Sequence, residues 1–497
     1  MVEGFVGSKQ WDVTVNGFPN HAGTTPMDQR RDALYAASQY VQAVHEIGKH
    51  TPGRQVATVG KIQSFPGAPN VVPGLVNASL EIRDLDAKKM DFIFNLIKRK
   101  SMDIGQKTWT KFHFEPTINI VPQLTDSNIR TIINQSENHS YYIDPSNINN
   151  NNPDQKNAIR IRGSFLLAGP LLARKKSVVL PSPGGDRIGL RPVQTHLSAL
   201  EKLGTRIKLN DKGFYEMETD GLKGAEIYLD EASVMATENS IMAAVTAQGR
   251  TNIYNAACEP HVQGLCNFLV QLGAKIDGIG SNLLIIEGVT ELSGGEYTIQ
   301  PDHTEVGSFI GLAAVTGSEL RVKNAGINYL RMTRLMFEKL GVEVKVEGDD
   351  IIIPKKQKLT VQRDIPGGIP KIDDAPWPGF PADLTSIMTV VATQCDGAVL
   401  IFEKMFESRL FWVDKLIEMG AQIILCDPHR VVVSGPTTLK GARVSSPDIR
   451  AGMALLIAAL GANGITEIHN IDQIDRGYES IDVRLNALGA KIRRVND

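Results

Sequence analysis

Cysteine is scarce in this chain: there are four in 497 residues, Cys258, Cys266, Cys395 and Cys426, and no two have C-x-x-C spacing. That excludes a disulfide framework and a thiolate-built zinc site. The four read as reduced thiols of a cytoplasmic protein. No run of about 18 apolar residues is present, so no bilayer-spanning helix is predicted, and no secretory leader opens the chain. Neither sign of charge dominates: 53 Lys and Arg stand against 55 Asp and Glu, a net charge of −2. Nucleic acid and anionic membrane surfaces are therefore poor partners. The 10 histidines show no H-E-x-x-H or similar ligand spacing, so no metal site is read from them. What is left is an apolar content of 42%, ordinary for a globular protein. The chain is too long for one core, and roughly two to four domains are expected.

Residues 9 to 115 read as one α/β unit. Trp11 to Val15 alternates apolar and polar, as a half-buried strand does. Asp32 to Ile47 has helical periodicity, Val56 to Ile62 and Val76 to Ile82 alternate again, Asp91 to Ile104 is a second helix, and Trp109 to Phe114 a last strand. The order βαββαβ predicts a four-stranded sheet with two helices on one face. Low-complexity, turn-forming asparagines at Asn149 to Asn152 follow. A boundary is placed near residue 140, giving expected domains 1–140, 141–300 and 301–497.

Beyond residue 160 the chain repeats itself. A Leu-Gly or Met-Gly pair closes a helix and opens a strand at Gly204, Gly273, Gly341, Gly420 and Gly489, with spacings of 69, 68, 79 and 69. A long fixed period means one supersecondary unit used several times, and each Gly is the expected left-handed residue past a helix end. Five small-residue apolar helices recur, at Ser164 to Ala173, Asn239 to Ala247, Gly307 to Val315, Leu384 to Ala392 and Ala451 to Leu460. Being apolar nearly all round, they should be buried. Arg162, Asp383, Asp448 and Arg450 head several of them, where converging helix starts would meet an anionic ligand. The stretch PGGDRIGLRP, Pro183 to Pro192, combines glycines with Asp186 and two planar cations, Arg187 and Arg191. On its own it is a charged surface turn or an anion-binding loop.

Two resemblances sharpen these readings. Residues 1 to about 138 carry NHAGTTPMDQRRDAL, PNVVPG and EIRD. This segment resembles the lid, or dimerisation, domain of zinc-dependent amidohydrolases of the allantoate amidohydrolase and N-carbamoyl-L-amino acid hydrolase type. The resemblance implies that His21 and Asn70 reach toward substrate and that Arg83 holds its carboxylate. It also implies a homodimer through residues 1–140. The zinc ligands of that family sit in a separate catalytic domain that is expected to be absent here, so no cofactor and no metal is expected. An amidohydrolase fragment stays as one alternative reading.

The segment from about 141 to 497 is similar to the UDP-N-acetylglucosamine enolpyruvyl transferases. The matching strings are IRGSFLLAGPLLAR, PGGDRIGLRP, NAACEP, FPADL, MFESRLF, SPDIRAG and IDRGYE. The fold implied is an inside-out α/β barrel of βαβαββ units in two domains, here with five repeats of six, the first expected to be missing. Lys156-Asn157 is a letters-only likeness to that repeat's Lys-Asn pair. The implied reaction moves the enolpyruvyl group of phosphoenolpyruvate to the sugar 3′-hydroxyl with loss of phosphate, by addition and elimination. Asp383 matches the base. Asp186 stands where the family more often has a cysteine acid, the residue that epoxide phosphonates alkylate. Arg191, Arg409, Arg450 and Arg476 match the cations on phosphate and carboxylate, and Asp448 a further active-site acid. Arg162, Arg191, Pro192, Val193, Gln194, Thr195, Glu231, Ala232, Ser233, Val234, Asp383 and Met405 match positions that hold the UDP-sugar, with Glu231 replacing a common lysine. A third reading is a UDP-sugar-binding fusion without turnover.

Overall fold

The computed structural model describes residues 4–120, 123–124, 133–135, 141–145, 148 and 151–495, apart from 6, 54, 85, 187 and 366. Two units make up the chain, 1–149 and 150–497. The first contains β1 (Gly7–Asn16), α1 (Ala33–His50), β2 (Val56–Thr58), β3 (Ile62–Phe65), β4 (Leu75–Asp84), α2 (Ala87–Thr108) and β5 (Lys111–Ile120). On β1, Trp11, Val13 and Val15 are buried while Asp12 and Asn16 are exposed, the signature of a sheet covered on one face. β4 and β5 flank β1, both antiparallel to it, and β2 and β3 share the outer edge of β4. Helices α1 and α2 supply the other half of the core, where Trp11 stacks on Phe94 with ring centroids 4.1 Å apart. Asp32 and Asp86 cap them, each side chain accepting two backbone N–H groups.

The βαββαβ reading holds with two adjustments. The strand expected over Val56 to Ile62 is two short pieces, β2 and β3, on the same edge. Trp109 is not in the last strand; it takes a left-handed conformation (φ 58°) as the C-cap of α2, and β5 starts at Lys111. A helix that turns sharply into a strand needs such a residue, and here no glycine is available to supply it.

The second unit is built from recurring pieces. One copy runs β9 (Glu226–Tyr228), α5 (Val234–Ala244), β10 (Arg250–Tyr254), α6 (Pro260–Gln271), β11 (Lys275–Asp277) and β12 (Leu283–Glu287). Its sheet has the order β9–β10–β12–β11, with β9 and β10 parallel. The copy with β16 (Lys371–Asp373), α9 (Thr385–Ala392), β17 (Gly397–Phe402), α10 (Val413–Glu418), β18 (Gln422–Asp427) and β19 (Arg430–Gly435) repeats both order and direction. Before the first copy come α3 (Ala168–Lys175), β6 (Ser177–Leu180), α4 (Gln194–Lys202), β7 (Arg206–Leu209) and β8 (Tyr215–Glu218). Before the second come α7 (His303–Thr316), β13 (Leu320–Val322), α8 (Arg331–Lys339), β14 (Lys345–Glu347) and β15 (Asp350–Ile353). A last partial copy holds β20 (Arg443–Ser445), α11 (Ile449–Gly461), β21 (Glu467–His469) and α12 (Ile481–Ala487).

Two separate apolar cores result, one within residues 165–286 and one within 306–485, hereafter the first and second lobe. In the second lobe α7, α9 and α11 pack on one another, and every residue of α9 is buried. In the first lobe, among the described residues, two such helices pair, α3 and α5. Asn239 locks them, accepting from Gly169 N at 2.9 Å and donating to Phe165 O at 2.8 Å.

All five repeat glycines have positive φ, from 77° to 103°. Each donates its N–H three residues back, as Gly273 does to Val270 O, and the following residue donates five back, as Ala274 does to Leu269 O. That double bond is the Schellman closure of a helix end. Nothing lies within 4 Å of a Cβ added at Gly273, whereas one at Gly341 would sit 2.6 Å from Thr360 N. Gly273→Ala should therefore cost only the strain of a left-handed alanine, about 1 kcal/mol. Gly341→Ala should cost clearly more, because backbone must also move. Urea unfolding of both variants checks this; equal costs would show that strain alone governs these turns.

Candidate active site

The polar heads of the buried helices converge where the lobes face each other. Asp383 lies in a one-turn 3-10 segment, Ala382–Leu384, that leads into α9. Its Oδ1 accepts from Arg409 Nη1 at 2.8 Å and its Oδ2 from Arg450 Nε at 2.9 Å. Burial works to raise its pKa, but Arg450 and then Arg409 outweigh burial and hold the carboxyl far below the usual carboxylate range. Burial likewise opposes the charge on both arginines, and Asp383 more than restores it. Arg450 Nη1 also donates to the Tyr478 hydroxyl at 3.1 Å, which meets Ser308 Oγ of α7 at 2.7 Å. Asp448 caps α11, accepting from Arg450 N at 2.8 Å and Ala451 N at 2.9 Å. Burial nevertheless raises its pKa.

The glycine loop closes onto this cluster from the first lobe. Asp186 Oδ1 is paired with Arg476 Nη1, and the Asp186 carbonyl accepts from Arg191 Nη2 at 2.7 Å. Ile188 O accepts from Ser408 N at 3.2 Å, and Leu190 N donates to Glu407 Oε2 at 3.3 Å. Gly189 has φ 140°, and a Cβ there would stand 2.2 Å from Glu407 Oε2, so only glycine lets the loop come this near. Arg162 Nη1 donates to Arg191 O at 2.8 Å and Nη2 to Pro192 O at 3.3 Å. Burial is the first cause lowering the pKa of both arginines; Arg191 lowers Arg162 further, while Arg409 and Arg476 lower Arg191 against the opposing pull of Asp186.

The structure thus brings together Asp186, Arg191, Asp383, Arg409, Asp448, Arg450 and Arg476, residues that the resemblance had named. Arg162, Pro192, Val193, Gln194 and Thr195 line the start of α4, where Thr195 Oγ1 donates to Asp230 at 2.7 Å. Glu231 acts electrostatically on Arg162. Ser233 caps α5 through its side chain, with Ala232 and Val234 half-buried beside it, and Met405 is half-exposed. Arg187 lies outside the described residues. Sequence reasoning missed Glu407, Tyr478 and a pair of histidines. His261 and His303 stack with ring centroids 6.3 Å apart, and burial lowers His303 to about 4. Glu407 and Tyr478 stand inside the quoted strings MFESRLF and IDRGYE, but only the closed loop and the α7 contact give them a role.

In the first unit, His21 and Asn70 are neighbours: Ala22 N donates to Asn70 O at 2.8 Å and His21 pairs with Val71 across a short ladder. Both side chains are exposed. Arg83 is not with them. It sits at the far end of β4, about 26 Å along the strand at some 3.3 Å per residue, where Glu81 accepts from its Nε at 2.8 Å. Among the described residues no group of three or more His, Cys, Asp or Glu is arranged to hold a metal ion.

A model of the EPSP synthase (3-phosphoshikimate 1-carboxyvinyltransferase) family matches residues 123–485, and a peptidase dimerisation domain model matches residues 4–108. A UDP-N-acetylglucosamine 1-carboxyvinyltransferase of Bradyrhizobium diazoefficiens is 59% identical over 342 residues, 69% of this chain and 79% of that one. One of Bacteroides fragilis is 49% identical over 397 residues, 77% of this chain and 92% of that one. The enolpyruvyl transferase NikO of Streptomyces tendae superposes with a TM-score of 0.64 at 22% identity, covering 74% of this chain and 86% of that one, a likeness of fold.

The Asp383 ion triad has a pH signature. A carboxyl whose folded pKa is depressed contributes stability above its unfolded pKa, about 3.9, and loses it as pH falls below. Asp383 keeps 38% of its side chain exposed. Asp383→Asn should therefore cost about 1–2 kcal/mol rather than the 3–5 of a fully buried pair. The difference from wild type should stay level from about pH 8 to 5 and narrow below about pH 4. Urea unfolding across that range checks it; a gap that persists unchanged at pH 3 would contradict the ion triad.

Proposed function

We infer the chemistry from one premise: the chain belongs to the EPSP synthase (3-phosphoshikimate 1-carboxyvinyltransferase) family, and beyond its lid segment it is a homologue of the UDP-N-acetylglucosamine 1-carboxyvinyltransferases. The function is transfer of the enolpyruvyl group of phosphoenolpyruvate to the 3′-hydroxyl of UDP-N-acetylglucosamine, with release of phosphate, the first committed step of peptidoglycan precursor synthesis. The observation that carries this reading is the carboxylate of Asp383 held between Arg409 and Arg450, opposite the Asp186–Arg476 pair.

In this reading Asp383 takes the proton of the sugar hydroxyl as its oxygen attacks C2 of phosphoenolpyruvate. Asp186 gives a proton to C3, which makes the tetrahedral adduct. Loss of a C3 proton and of phosphate then yields the enolpyruvyl ether. An aspartate facing two guanidiniums is a weak base. The phosphate and carboxylate of phosphoenolpyruvate engage Arg409, Arg450, Arg191 and Arg476, drawing those charges off Asp383 and Asp186 as the substrate seats. Asp448 holds the start of α11 and with it Arg450. Arg162, the Arg191–Thr195 segment, Glu231–Val234 and Met405 form the bed for the UDP-sugar. The working division is a lid over 1–140 and lobes over 141–300 and 301–497, in the cytoplasm. Pairing of two chains through the lid is supported by the dimerisation-domain match.

The test is mass spectrometry of the nucleotide after incubation with both substrates, alongside released phosphate. Enolpyruvyl-UDP-N-acetylglucosamine is expected, at a rate at least about tenfold below that of the Bacteroides fragilis relative. The lower rate follows from two packed helices in the first lobe, among the described residues, against three in the second. That same asymmetry favours the second reading, UDP-sugar binding without turnover, if the sugar binds and no ether forms. A rate equal to the relative's would remove the asymmetry argument.

Asp186 gives a separate prediction. A carboxylate is a far weaker nucleophile toward an epoxide than a thiolate. Burial pushes Cys266 and Cys395 up to about 12 and also raises Cys258, so none of these substitutes for a loop thiol. An epoxide phosphonate should leave the intact mass of this chain unchanged, while Asp186→Cys should gain one adduct. An adduct on the Asp186 protein, or none on the cysteine variant despite retained turnover, would show that residue 186 is not the catalytic acid.

A further inference from the structure

Behind Asp383 lies a carboxyl that the reaction scheme leaves unexplained. Glu403 stands just past β17 and is fully buried. Its Oε2 is 2.6 Å from Thr385 Oγ1, and the same hydroxyl is 2.7 Å from Ala382 O. Ala382 and Thr385 bracket the turn that presents Asp383. A threonine hydroxyl has one hydrogen and can serve only one of these two oxygens as donor. The Asp374 carboxylate also lies within hydrogen-bond reach of the Glu403 carboxyl. Asp374 is itself fully buried and already takes the backbone N–H groups of Lys404 and Met405.

Two buried acceptor-only groups cannot bond without a proton between them. If Thr385 donates to Ala382 O, Glu403 must donate to Thr385. If Thr385 donates to Glu403, the proton between the two carboxyls belongs to Glu403, because both Asp374 oxygens already accept backbone N–H groups as an ionised carboxylate does. Either arrangement puts one proton on Glu403. We propose that Glu403 is a positioning residue for Asp383: a buried, proton-bearing carboxyl that fastens the Ala382–Thr385 turn and, being neutral, leaves the Arg409 guanidinium to Asp383. The groups facing it are Asp374 from the end of β16, Arg409 from the segment after β17, and His429 from the turn between β18 and β19. His429 Nδ1 lies 2.8 Å from Glu403 O.

Burial, opposed by Arg409 and reinforced by Asp374, pushes the Glu403 pKa up to about 8. The proton is present below that value and lost as pH rises through it. An ionised Glu403 would repel Asp374, release the turn and compete with Asp383 for Arg409. The inference rests on the functional reading above through Asp383, so its test has one readout that does not depend on substrate.

Infrared pH titration of the whole chain is the first measurement. A protonated-carboxyl C=O band should be present near neutrality, vanish as pH rises through about 8, and be missing in Glu403→Gln. Calorimetry with UDP-N-acetylglucosamine is the second. Glu403→Leu should bind about tenfold or more weakly at neutral pH, the worth of a lost buried hydrogen bond to a charged network. Glu403→Gln, whose amide can donate as the neutral acid does, should bind within about threefold of wild type. It should keep that affinity near pH 9, where wild type weakens. Equal binding by wild type and Leu, a Gln variant as weak as Leu, or no band assigned to Glu403 overturns the proposal. A wild-type chain that does not bind the UDP-sugar sinks the functional reading and the positioning role with it, while the infrared band still decides where the proton is.

Discussion

An aspartate clamped between two buried guanidiniums is the constraint on which the second lobe depends. Charges are taken out of water only when the geometry around them is excellent, and three helices are needed to supply that geometry. The turn before α9 carries Asp383, α11 carries Arg450, and α7 offers Ser308 to the Tyr478 hydroxyl that Arg450 also touches. The apolar packing of α7, α9 and α11 is therefore more than a core. It sets the relative heights of three helix starts to within a hydrogen-bond length. The inside-out barrel reads naturally in these terms: sheets face solvent, helices face one another, and helix ends deliver the polar groups.

The first lobe answers with charge of its own. Arg191 and Arg162 crowd each other, and Asp186 reaches across to Arg476. Each described arginine of the cleft is held by a carboxylate or a carbonyl, so the site is a network of cations bound provisionally by the protein's own oxygens. An incoming phosphate and carboxylate compete for the same donors. The glycine loop makes the competition local, because among the described residues its closure rests on the backbone bond from Ser408 N to Ile188 O, on Glu407 meeting Leu190 N and on the Asp186–Arg476 pair.

Much of this was legible in the residues. The Gly273-type helix stops predicted the period, and all five adopt the left-handed turn because no other residue closes a helix into a strand so cheaply. Continuous small apolar runs announced the buried helices, and the residues heading them announced the polar cluster between the lobes. The boundaries moved where a cap overrides periodicity: α5 starts at Val234 rather than Asn239 because Ser233 caps it. Asp448 was legible as a polar helix head but not as a cap. Glu403 and Thr385 were not legible at all, since a lone Glu after an apolar strand has no periodic or motif signal. Only the fold brings it behind Asp383. The separation of Arg83 from His21 and Asn70 also needed the strand register, which pairs Arg83 with Ser8 at the opposite end of the sheet.

The central claim is that the Asp383 carboxylate at the head of α9 is where the sugar hydroxyl is received. Titration calorimetry of UDP-N-acetylglucosamine into the wild-type chain and into Asp383→Ala measures this most directly. Wild type should bind, and the variant should lose about tenfold or more, as expected when a charged hydrogen-bond acceptor for a substrate hydroxyl is removed. Equal affinity in the two proteins would contradict it.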